Sequence, residues 1–82
     1  MAVVTATNRI DNVNGTLLEV YSTITIANTG DYWIPGLRAI VGVTFNDGAI
    51  TKAAPDTSSP PHVVFTTTGA VTNALVKVVG YP

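Results

Sequence analysis

Thr16-Leu17-Leu18-Glu19-Val20-Tyr21-Ser22-Thr23-Ile24-Thr25-Ile26-Ala27 is the stretch that decides the fold class. Leu18, Val20, Ile24 and Ile26 fall on one side of an extended chain and Glu19, Tyr21, Thr23 and Thr25 on the other. That is a period of two, not the 3.6 of a helix. Twelve residues at about 3.3 Å each span roughly 40 Å, long for a small domain. The segment is expected to bend, or to reach past its own core toward a neighbour.

The residues around it continue in the same vein. Of the 82 residues, 31 are Thr, Val or Ile, side chains that suit a pleated surface better than a helix. Turn chemistry recurs at Asn12-Val13-Asn14-Gly15, Asn28-Thr29-Gly30-Asp31, Asn46-Asp47-Gly48 and Thr68-Gly69. Strands are expected near residues 2–10, 16–27, 37–45, 49–53, 62–68 and 71–79. In 37–45, Leu37, Ala39, Val41, Val43 and Phe45 would share a face, with Asn46-Asp47-Gly48 returning the chain as a hairpin into 49–52. Three prolines in Ala53-Ala54-Pro55-Asp56-Thr57-Ser58-Ser59-Pro60-Pro61 lack donors, so 53–61 reads as a Pro/Ser-rich loop, either a contact arm or a solvated connection. The expectation is one all-β domain over 1–82: a small antiparallel β-sandwich or jelly-roll-like fold of about six strands.

Composition narrows function mainly by exclusion. Only 11% of residues are charged against about a quarter in ordinary soluble domains, so part of the surface is expected to lie under a partner. With no Cys and one His, neither disulfides nor a metal can staple so small a core, and self-association is the remaining support. A net charge of −1 gives no basic stripe for nucleic acid. The start of the chain lacks the basic-then-apolar pattern of a signal peptide, and no apolar run approaches a membrane span. An extracellular role would then need another route, such as release inside a particle.

No residue constellation reads as catalytic. His62 follows Pro60-Pro61 at the start of an alternating strand, and Ser58 and Ser59 lack the G-x-S-x-G frame of a nucleophile elbow. Asp11, Asp31 and Asp47 each neighbour Asn or Gly, which turn formation explains. The expectation is no enzyme, no cofactor and no metal. Asp31-Tyr32-Trp33-Ile34-Pro35-Gly36 carries more than a turn requires. Its adjacent aromatics could plug the end of a sandwich, anchor an interface or stack on a sugar. The candidate interface residues are Tyr32, Trp33, Ile34 and Pro35, joined by Pro55, Pro60 and Pro61 of the loop.

Three stretches together resemble the small β-rich structural proteins of tailed phages, the capsid decoration or cement proteins. They are the start Met1-Ala2-Val3-Val4-Thr5-Ala6-Thr7, the run Thr23-Ile24-Thr25-Ile26 with its Thr29-Gly30-Asp31-Tyr32 connector, and the finish from Thr66-Thr67-Thr68-Gly69-Ala70-Val71 to Ala74-Leu75-Val76-Lys77-Val78-Val79-Gly80. The resemblance is one of texture over most of the chain. It implies a subunit of the virion, assembled in the host cytoplasm, that clamps onto the major capsid protein or another virion protein. It also implies a homo-oligomer, a trimer above all, with no nucleic-acid or membrane partner. The alternative is a carbohydrate- or receptor-binding module of a fibre or adhesin, with Tyr32 and Trp33 as its platform.

Overall fold

The computed structural model describes residues 2–82, and among them are seven strands and no helix. These are β1 (Thr5–Asn14), β2 (Leu17–Ile26), β3 (Tyr32–Trp33), β4 (Ala39–Phe45), β5 (Ile50–Asp56), β6 (His62–Thr67) and β7 (Val71–Tyr81). They form a four-stranded sheet in the order β1-β2-β7-β4 and a three-stranded sheet in the order β3-β6-β5. All strand pairs are antiparallel. The fold is a small β-sandwich, as the alternation in β2 requires.

Strand β2 puts Val20, Ile24 and Ile26 wholly inside, opposite Val78, Ala74 and Val71 of β7. Phe65, Val63 and Trp33 of the smaller sheet close the core from the other side. Ser22 shares the inner face, and its hydroxyl donates to the Thr7 carbonyl at 2.8 Å, so no buried donor is left unpaired there. The N-terminal end of β2 lies less deep, with Leu17, Leu18 and Glu19 half-buried, and the hairpin that joins it to β1 is exposed. That hairpin is tighter than the expected turn at 12–15: Asn14 pairs directly with Leu17. Gly15 supplies the positive φ of 66° that the first position of a two-residue return demands.

Three expectations need correction. The segment 46–48 is not a hairpin turn, because β4 and β5 belong to different sheets. The Asp47 carboxylate and carbonyl accept from Ala49 and Ile50 at 2.9 and 3.1 Å, carrying the chain across the sandwich. The loop expected at 53–61 shrinks to 57–61, because Ala53, Ala54, Pro55 and Asp56 continue β5. β5 is an edge strand bonded on one side only, where a proline without a donor is tolerated. In β4, Ile40 packs on the core while Val41 is 59% exposed and Ala39 is exposed too, the reverse of the expected face. An extra residue between Ile40 and Gly42 shifts the register, so Ile40 and Val43, three apart, both point inward.

The same device recurs on β1 between Thr7 and Ile10, on β5 between Ile50 and Lys52, and on β7 between Val71 and Ala74. At the β7 bulge Asn73 takes φ 54°, and its N–H donates to Thr25 Oγ1 at 3.3 Å. Residues 2–4 cross to the other sheet. Val3 bridges Tyr32 in parallel, and the buried Asp31 carboxylate accepts from Ala2 N and Asn28 N, each at 3.1 Å.

Candidate functional site

Two surfaces carry chemistry, one around β3, β6 and the opening between β4 and β5, the other on the outer face of the four-stranded sheet. The first gathers part of the set expected from sequence. Strand alternation sends Trp33 inward, 4% exposed, and Tyr32 outward, so the two aromatics do not form one platform. Pro35 is fully buried, while Ile34 remains 38% exposed. Tyr32 meets His62 edge-on at 5.3 Å between ring centroids. His62 Nδ1 lies 2.9 Å from the Pro60 carbonyl oxygen, and Nε2 lies 3.6 Å from Asp56 Oδ2. The Asp56 carboxyl is held below its ordinary range, chiefly by the Ser58 N–H donating at 2.8 Å. Pro55, Asp56, Thr57 and Pro61 face Arg38 and Ile40 across a cleft of about 150 Å³, and Pro60 stays exposed beyond it. The structure thus brings Tyr32 and the loop prolines Pro60 and Pro61 near His62, leaves Pro55 on β5 beside the cleft, and withdraws Trp33 and Pro35 into the interior.

The second surface was not anticipated. It is the outer face of the four-stranded sheet together with the free edge of β1. The register aligns Ile10, Tyr21, Lys77 and Thr44 in one cross-strand row, and Thr7, Thr23 and Leu75 in the next. Ile10 is 63% and Leu75 52% exposed. Tyr21, Thr44, Phe45, Leu75 and Lys77 frame a shallow hollow of about 250 Å³. The Lys77 ammonium sits 5.8 Å from the Tyr21 ring centroid and 3.6 Å from Glu19 Oε2, so its stem is laid down across the sheet. Asn12 Nδ2 donates to Glu19 Oε1 at 2.9 Å, and this bond first, Lys77 second, holds the Glu19 carboxyl below its ordinary range. The apolar groups therefore lie between side chains already fixed by one another.

All ten residues of β1 are exposed, because the three-stranded sheet does not extend over it. Among the described residues its only strand partner is β2, so the other edge offers unpaired N–H and C=O groups to solvent. A signal for this was present in Thr5-Ala6-Thr7-Asn8-Arg9-Ile10-Asp11-Asn12-Val13-Asn14. Ile10 and Val13, its two large apolar residues, stand three apart and cannot share a face of a regular strand, so neither face could be buried.

Among the described residues no group of three His, Asp or Glu side chains comes together to hold a metal ion. Comparison with protein-family models, with curated proteins and with solved structures finds no match.

Proposed function

We propose that this protein is a non-enzymatic virion structural protein, a capsid decoration or cement subunit that attaches to an assembled phage shell and stabilises it. The observation that carries the reading is the uncovered four-stranded sheet: an outer face with exposed Ile10 and Leu75 and a strand edge, both open, on a domain whose core is otherwise complete. The textural resemblance supplies the kind of partner. A subunit that binds only the assembled lattice stabilises it by mass action, with no turnover.

The outer-face residues Ile10, Tyr21 and Leu75, from two adjoining cross-strand rows, are the proposed contact, with exposed Ile34, Pro55 and Pro60 and half-buried Tyr32 and Pro61 as a secondary one. The sugar-binding alternative loses its paired platform, since Trp33 is inside. The test is co-sedimentation with shells stripped of accessory proteins. Wild type should pellet with the shells, and Tyr21→Ala should weaken attachment by about 2 kcal/mol, the scale of an aromatic hot spot. Failure of the wild type to pellet overturns the reading. Unchanged affinity of the variant moves the contact off this face.

A further inference from the structure

We propose that β1 is a homodimerisation edge, pairing antiparallel with β1 of a second copy about a two-fold axis at Ile10. The inference goes beyond the shell-binding reading and stands without it. It rests on the order of residues 9–11 and on their exposure. Antiparallel pairing about Ile10 sets Arg9 opposite Asp11 and Ile10 opposite itself, so Arg9-Ile10-Asp11 is complementary to its own copy.

The side chains are placed for this. Opposed residues in an antiparallel pair share a face, so Ile10 meets Ile10 on the outer face, continuing the apolar row through Tyr21. Arg9 and Asp11 already bond within one chain at 2.8 Å, with side chains 44% and 46% exposed. Two such pairs across the axis make a quartet of alternating sign. Edge charges usually deter pairing, but that holds for like charges that meet; here each meets its opposite.

The backbone agrees as well. In a two-residue hairpin the closing pair, Asn14 and Leu17, exchanges both of its bonds, and the alternation then assigns Asn12 and Ile10 to β2 as well. Asp11 turns its N–H and C=O groups to the free side, where Arg9 of the second copy would stand opposite it. The bulge at Asn8 and Arg9, with Asn8 at φ 55°, bends the strand there and limits pairing to the segment around the axis. The opposite edge, β4, lacks this symmetry and carries its own bulge at Val41. A two-fold at β1 yields a dimer in place of the trimer that the resemblance implies.

The test uses charge exchange between chains. Wild type in sedimentation equilibrium should show twice the 8.5 kDa chain mass, falling toward one on dilution. Arg9→Asp makes the edge wholly acidic and Asp11→Arg wholly basic, so each variant alone should run as a monomer where wild type is a dimer. An equimolar mixture of the two should regain the doubled mass, because each acidic edge then faces a basic one. The Arg9–Asp11 pair within one chain cannot produce that recovery. Ile10→Lys, at a 63% exposed site with no core to disturb, should also abolish the dimer while leaving the circular dichroism unchanged. A wild type that stays monomeric throughout, a trimer, a dimer that survives both charge variants, or a mixture that stays monomeric overturns the proposal.

Discussion

Trp33→Ala separates an interior role for the one tryptophan from an interface role. The side chain is 4% exposed and belongs to the core cluster with Val63, Phe65 and Ile24, so its removal opens a cavity in the core beneath the edge strand β3. Truncating a buried aromatic to Ala costs about 3–5 kcal/mol. A chain of 82 residues at roughly 0.05–0.15 kcal/mol each has only about 4–12 kcal/mol in total, so the loss takes about a quarter of the stability or more. In urea, with a slope on the order of 1–1.5 kcal/mol per molar, the midpoint should fall by about 2–5 M, or the variant should be unfolded at the outset. Far-UV circular dichroism against urea measures it. A variant whose midpoint stays close to that of wild type, and which loses only attachment to a partner, would falsify the interior assignment.

Two further outcomes follow from single atoms. A Cβ added to Gly80, in the central strand β7, collides with the Ala39 carbonyl oxygen and crowds Leu37, so Gly80→Ala should cost about 1–3 kcal/mol and lower Tm by at least about 5 °C; an unchanged melting curve contradicts the β4–β7 register. Asn12→Ala removes the first cause of the low Glu19 titration, so the Glu19 midpoint, followed by carboxyl NMR against pH, should rise toward 4.5. Because the folded-state value is depressed, the associated stability is present above the unfolded value near 4.5 and lost as pH falls through the folded midpoint; the variant should show less of that acid sensitivity, and an unmoved midpoint refutes the assignment.

The sandwich was legible in sequence because β2 alternates cleanly and each of its inward residues keeps its partner across the sheet. What escaped was local and has one physical cause. Four bulges, on β1, β4, β5 and β7, each add a residue on one strand only, and a strict period of two then assigns the wrong face beyond them. In β4 that period puts Val41 inside and Ile40 outside, the reverse of where the bulge sets them. Pro55 read as a strand breaker, yet an edge strand needs donors on one side only, and edge position is set by the other strands. Adjacent aromatics in sequence suggest a single platform at Tyr32 and Trp33, but alternation across a two-residue strand divides them between surface and core. The open β1 edge is a property of coverage: whether the second sheet reaches that far depends on strand order, which no single segment encodes.

The measurement that bears most directly on the central claim is the melting temperature of stripped shells by scanning calorimetry, with and without saturating wild-type protein. The account predicts an upward shift that grows with protein concentration until the shell is saturated. It also predicts a smaller shift with Tyr21→Ala, whose fold should remain intact because the ring lies on the outer face. A shell transition that does not move at any protein concentration contradicts it.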